Sequence, residues 1–223
     1  MELKPTSDKS KDIRKQKDMN SSYSLYLALG LFVLVIIAGL VITRGGAGSN
    51  SNNPVVAGGS SQSQFEAGNE YFRQGNLEKA VEAYQKTIEL DPTNQGAYVN
   101  LGVAYYQQEK FDLAEAQYRK ALELKPDDGE VAYNLGALYL QQALMKGDPP
   151  DQAALAKAVK QLEQAIYLAP HLAEPLFSLG VAHKGLGQKD KAIESFQKFL
   201  DQKPKDETAA KEAERYLKEL KGQ

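Results

Sequence analysis

Apolar and polar residues follow three regimes along this chain. From Leu25 to Ile42 the sequence LYLALGLFVLVIIAGLVI runs for eighteen residues without a charge. With Tyr23, Ser24 and Thr43 added it makes a helix of about 30 Å, the thickness of a bilayer's hydrocarbon core, so a membrane-spanning helix is expected over 23–43. Residues 44–62 carry a single charge among Gly, Ser and Asn and read as a linker. Such a composition buries too little apolar surface to offset its ordering entropy. From about residue 63 the apolar residues return at i, i+3, i+4 spacing in paired segments, the pattern of amphipathic helices joined by short turns. An all-α domain is expected over 63–220.

The helical part repeats itself, and the period sets its architecture. Pro92, Pro126, Pro170 and Pro204 are 34, 44 and 34 residues apart, while Gly68, Gly102, Gly136 and Gly180 are 34, 34 and 44 apart. In register with them stand Tyr98, Leu101, Tyr105, Ala114, Tyr118 and Ala121, then Leu135, Tyr139, Ala158, Leu162 and Ala165, then Leu179, Ala192 and Phe196; the first unit carries Tyr71, Ala80 and Tyr84. This spacing closely resembles the tetratricopeptide repeat (TPR). The resemblance implies a right-handed superhelix, an α-solenoid, of four helix-turn-helix repeats (about 61–94, 95–128, 129–172 and 173–206) closed by a capping helix at 207–220.

Physical chemistry explains why these residues recur. Small residues such as Gly102 and Ala114 let two backbones approach, and Tyr105 and Tyr118 fill the space beside them. Proline ends each second helix, because it lacks a donor and restricts the residue before it. Ser63 and Glu66 have the spacing of a capping box and are expected to start the first helix. Ala209, Ala213, Tyr216, Leu217 and Leu220 would line one face of the capping helix, covering the end of the stack. Two departures stand out. Gln64 and Ala67 take places where the next repeat has Tyr98 and Leu101, so the outer edge of the first repeat should pack loosely or be covered by a partner. The third repeat is ten residues too long, with Gly147-Asp148-Pro149-Pro150 as the turn and Asp151 as N-cap, so both of its helices should gain over a turn. A docking element and a tolerated insertion both account for that knuckle.

In the family, the first helices of successive repeats line a concave groove that holds a peptide or a partner helix. The matching positions are Phe65, Asn69 and Phe72 in the first repeat and Val99, Asn100, Val103 and Tyr106 in the second. Tyr133, Asn134, Ala137 and Leu140 follow in the third, and Phe177, Ser178 and Val181 in the fourth. The resemblance implies that Asn100 and Asn134 act as a ladder that hydrogen-bonds a peptide backbone. Packing between repeats is the alternative role for Phe65, Tyr133 and Phe177. The carboxylate clamp of some relatives needs Lys or Arg where this chain has Phe65, Glu130 and Asn134, so that clamp is not expected.

Charge and composition narrow the function. Lys4, Lys9, Lys11, Arg14, Lys15 and Lys17 precede the apolar run and only Arg44 closely follows it. The bias places the charged tail 1–22 in the cytoplasm and the repeat domain on the far side of the membrane, periplasmic in a bacterium. A cleaved signal peptide and a cytosol-facing receptor are the rival topologies. Lys plus Arg is 27 against 29 Asp plus Glu, which offers nothing to a nucleic-acid backbone. With no Cys and two His, thiol chemistry, metal sites and imidazole relays have no material, and no cofactor is expected. His183 falls where the second repeat has Tyr105 and is read as a packed core residue; His171 is read as a loop residue. The expectation is a membrane-anchored adaptor, not an enzyme, that captures a protein or peptide partner and assists assembly of a membrane or envelope complex. A self-associating structural array, a homo-oligomer, is the alternative.

Overall fold

A computed structural model of the chain describes residues 59–222. The tail, the span expected over 23–43 and the linker up to residue 58 lie outside the described residues. Among the described residues the structure is helical throughout, without a strand, and no helix is long and apolar enough to cross a membrane.

Four helix hairpins follow one another. They are α1 (Ser61–Arg73) with α2 (Leu77–Leu90), α3 (Gln95–Gln107) with α4 (Phe111–Leu124), α5 (Gly129–Met145) with α6 (Gln152–Leu168), and α7 (Glu174–Gly185) with α8 (Lys189–Asp201). A ninth helix, α9 (Glu207–Lys221), closes the array. Each helix packs on the helices before and after it in sequence, so the core is a continuous seam rather than a central ball.

Turn chemistry defines most of the helix starts. The side chains of Asn76, Asn94, Asp128, Asp151 and Asp206 each accept from backbone N–H groups two or three residues on, satisfying donors that have no partner within the helix. The first helix departs from expectation. Its N-cap is Ser60, whose hydroxyl accepts from the Ser63 N–H, and Glu66 takes a hydrogen bond from Gln62 instead of reaching back to Ser63. The helix therefore starts two residues before the anticipated capping box and takes residues 61 and 62 from the linker. Gln64 and Ala67, expected on a loose edge, are buried. The chain at Gly59 lies against the first of them, an added Cβ there standing 3.6 Å from Gln64 Nε2.

The glycine register marks the tightest helix contacts. A Cβ added at Gly68, Gly102 or Gly180 would lie 2.6, 2.7 or 2.6 Å from the ring of Tyr84, Tyr118 or Phe196, and one at Gly136 would lie 2.9 Å from Leu162. In every hairpin a large side chain of the second helix therefore rests directly on the backbone of the first. The alanines that make room for it, Ala80, Ala114, Ala158 and Ala192, are fully buried. The first turn of a hairpin uses a left-handed residue, Gly75 (φ 74°) and Gly187 (φ 69°), and Glu109 (φ 59°) adopts the same conformation in the second repeat. In the third repeat, α5 and α6 have 17 residues each against 12 to 14 in the other three hairpins, and the turn between them carries the insertion.

A second register runs between repeats. Gln85 Nε2 donates to the Tyr105 hydroxyl at 3.0 Å, and one period later Arg119 donates to the Tyr139 hydroxyl at 2.9 Å while that hydroxyl donates to Glu115 at 2.8 Å. The second helix of one repeat thus clasps the aromatic tip of the next. At the third junction the tyrosine is replaced by His183, which is buried and pairs within its own repeat, Nδ1 lying 2.7 Å from Gln188 Oε1. Burial holds the His183 pKa below its ordinary value. The unfolded chain therefore takes up this proton first as pH falls through about 6.5, and stability contributed by the neutral ring declines below that point. We expect His183→Tyr, the residue type of the two preceding clasps, to remove that component. Melts between pH 7 and pH 5 check it: the wild-type loss over this range should shrink in the variant, and identical pH profiles would contradict it.

Candidate functional site

The groove positions anticipated from the repeat register lie on α1, α3, α5 and α7, the first helix of each hairpin. Phe65, Asn69 and Val99 are half-buried. Phe72, Asn100, Val103, Tyr106, Tyr133, Asn134, Ala137, Leu140, Phe177, Ser178 and Val181 are buried. Phe72 on α1 and Asn100 on α3 are buried beside the half-buried residues, so most of the anticipated groove lining is packed inside the fold rather than presented on a surface.

Aromatic side chains take different roles along this face. Phe65 lies 6.0 Å from Tyr84, centroid to centroid, and its ring tip is 3.2 Å from where a Cβ on Gly96 would stand, so it joins the first repeat to the second. Tyr106 packs edge-on against Phe111 at 5.6 Å. Phe177 belongs to a cluster with Phe196 and Phe199 at 5.7 and 5.3 Å, which assigns its ring to packing between helices.

Polar contacts are concentrated at the junction of the first two repeats. Asn69 Oδ1 accepts from the Tyr84 hydroxyl at 2.9 Å and from Asn100 Nδ2 at 2.8 Å. One amide donor of Asn100 is thus engaged within the fold. Asn134, its counterpart one period later, has its Oδ1 buried without a hydrogen bond. The hydroxyls of Tyr106 and Tyr118 are likewise buried without one, and burial pushes the phenols of Tyr106, Tyr118 and Tyr133 well above their ordinary range. They remain neutral donors at any physiological pH. Tyr118 was not among the anticipated site residues; the signal for it in the sequence is Val103, which stands where the first repeat has Asn69. Among the described residues no cluster of His, Asp or Glu is arranged to hold a metal ion.

A stack of helix hairpins with an amide- and aromatic-lined face defines an all-α repeat scaffold. Family models agree: a TPR repeat model matches residues 68–109, and tetratricopeptide repeat models match 97–128 and 173–206. These matches support the tetratricopeptide repeat family for the domain; the long third repeat lies between them. Among solved structures, a crystal structure of the MamA protein is 25% identical over 72% of this chain and 85% of its own, with a TM-score of 0.58. The first TPR of Spaghetti (RPAP3), bound to the HSP90 peptide SRMEEVD, is 27% identical over 57% of this chain and 94% of its own, with a TM-score of 0.51. MamA 41-end from Desulfovibrio magneticus RS-1 shares the fold at 20% identity and a TM-score of 0.59, over 73% of this chain and 93% of its own. Comparison with curated proteins gives no match.

Proposed function

We propose that this protein is a membrane-anchored adaptor whose repeat array captures a segment of a partner protein on the face formed by α1, α3, α5 and α7. The observation that carries the reading is the half-buried strip of Phe65, Asn69 and Val99 on that face, continuous with buried aromatic and amide side chains. Aromatic anchors beside amide groups suit an extended peptide, which presents apolar side chains and main-chain polar groups together. The peptide-bound relative supports use of the fold in this way. That relative's peptide carries two Glu and one Asp, whereas this chain has Phe65, Glu130 and Asn134 where a carboxylate clamp would need cations, so its own segment is a less acidic one. Residues 23–43 anchor the array, and the lysine-rich tail before them places it on the far side of the membrane, where it assists assembly of a membrane or envelope complex.

Photo-crosslinking in cells tests the reading. A crosslinking residue in place of Val99 is expected to give a defined adduct with a partner, whereas one at Tyr167, which is 84% exposed away from the groove positions, is not. Adducts from Tyr167 alone would refute the groove. A reporter fused after residue 223 is expected to be active only outside the cytoplasm, and cytoplasmic activity would refute the topology.

A further inference from the structure

The insertion in the third repeat lengthens its hairpin at the turn end. By the repeat register the first helix would end at Gln141 and the second would start at Leu155, but α5 runs to Met145 and α6 starts at Gln152. The Lys146–Asp151 ion pair at 2.6 Å closes the turn, and the Asp151 N–H donates to the Ala143 carbonyl at 3.1 Å. This knuckle is supported toward the fourth repeat. Gln152 Nε2 donates to the Gly185 carbonyl at 3.2 Å, and a Cβ added at Gly185 would lie 2.8 Å from Leu155. Toward the second repeat it borders an open cleft of about 540 Å3, where Phe111 at the start of α4 faces the ends of α5 and α6. Phe111, Met145 and Ala154 supply apolar surface, and Gln142, Lys146 and Lys157 complete the lining used below. Met145 is 50% exposed, and a flexible thioether at such a place adapts to whatever covers it.

Charge defines the occupant. The cleft carries two lysines in a chain whose carboxylates outnumber its cations. The acid among the lining residues, Asp151, has both oxygens engaged: Oδ1 accepts from the Ala153 and Ala154 N–H groups and Oδ2 from Lys146. Lys157 Nζ lies 5.3 Å from the centre of the Tyr139 ring. The carboxylate that shares this ring, Glu115, already accepts from Arg119 and from the Tyr139 hydroxyl. An ammonium group has three donors, so Lys146 and Lys157 both keep hydrogen-bonding capacity for a ligand. A complementary group must cover Met145 and Phe111 and bring carboxylate oxygens to these two ammonium groups. The Gln142 carboxamide beside them matches a main-chain amide, which a lipid acyl chain does not have.

We propose that the cleft between Phe111 and the knuckle docks a short segment of a partner protein in which an apolar residue is flanked by Asp or Glu. The apolar side chain covers Met145 and Phe111, and the flanking carboxylates pair with Lys146 and Lys157. The insertion is then a docking element. This site is separate from the face formed by α1, α3, α5 and α7 and does not depend on what that face binds.

The test uses the full chain in nanodiscs of zwitterionic lipid and three peptides: acetyl-Glu-Leu-Asp-amide, acetyl-Gln-Leu-Asn-amide and acetyl-Glu-Ala-Asp-amide. The Met145 methyl and the Ala153 and Ala154 amides are followed by NMR. The first peptide is expected to shift them saturably. It should bind about fivefold more tightly than the neutral analogue, the combined worth of two exposed ion pairs, and about fivefold more tightly than the alanine analogue, from partial burial of the leucine. Lys157→Gln should remove most of the preference for the acidic peptide over the neutral one. Ala153→Trp, a bulky side chain at an exposed lining position, should block all three peptides while the melting temperature stays that of wild type. Equal affinities for the three peptides, or undiminished binding to Ala153→Trp, would overturn the proposal. Shifts of the same signals caused by anionic-lipid nanodiscs and not by the peptides would assign the cleft to lipid instead. A concentration-dependent dimer that Ala153→Trp abolishes would assign it to a second copy of the chain.

Discussion

Replacing Gly102 with leucine is expected to destabilise the domain by about 3 kcal/mol or more, at the upper end of the cost of overpacking a close-packed site. The first side-chain carbon alone would stand 2.7 Å from the Tyr118 ring, well inside contact distance. Tyr118 has no room to retreat, because it is fully buried and flanked by the fully buried Ala114 and Ala121. Either α3 and α4 must separate or the ring must leave its rotamer, and both routes open the seam that joins the second repeat to its neighbours. For an array of this size the loss corresponds to a fall in melting temperature of about 6 to 12 °C. Circular dichroism melts measure it. Ala116→Leu on the exposed side of α4 is the control and should stay within about 0.5 kcal/mol of wild type. An unchanged melting temperature for Gly102→Leu would mean that the helices do not approach as closely as the glycine register indicates.

That register was legible in the sequence because it depends on residue size at fixed spacing. Gly68, Gly102, Gly136 and Gly180, with their large partners, report backbone proximity directly, and Asp151 reports a cap directly. The start of the first helix was less legible. Ser60 and Ser63 are both competent caps, and the structure uses Ser60, whose hydroxyl accepts from the Ser63 N–H. The first-helix positions were legible as a register, but the partners of their side chains were not. Asn100 and Asn134 are the same residue at the same place in consecutive repeats, yet one is bonded to Asn69 and the other keeps an orphaned oxygen. The bond of Asn100 uses its Nδ2 and an acceptor, Asn69, whose place one period later is held by Val103, while the orphaned atom of Asn134 is its Oδ1. Sequence patterns specify which face a side chain occupies far better than which atom it meets there. Phe177 makes the same point: its position matches the groove, while its ring is spent on Phe196 and Phe199.

The largest effect at the other end of the array is expected from Tyr216→Ala. A solenoid has no closing contact of its own, so its last hairpin depends on whatever covers it. Here α9 does so, and Tyr216 is its anchor, stacked on Phe196 at 5.1 Å with 19° between the ring planes and lying 6.5 Å from Phe177. The outer side of the same ring faces cations, with Lys184 Nζ and the Arg215 guanidinium each 4.7 Å from its centre, and Lys184 is further tied to Glu219 at 3.1 Å. Truncation would remove the stacked ring and the surface under both cations together, at a cost of about 3 to 5 kcal/mol, as for other buried aromatics. Because Phe196 and Phe199 are almost wholly buried beside it, undocking α9 would expose an apolar end to the stack. We therefore expect Tyr216→Ala to accelerate amide hydrogen exchange across residues 207–221 before it affects α1 and α2, and to create a binding site for a hydrophobic dye. Tyr216→Phe keeps the ring and should retain most of the protection. Exchange rates in α9 that do not change on Tyr216→Ala would show that Ala209, Ala213 and Leu217 hold the cap without the tyrosine, and that the end of the array is sealed by aliphatic packing alone.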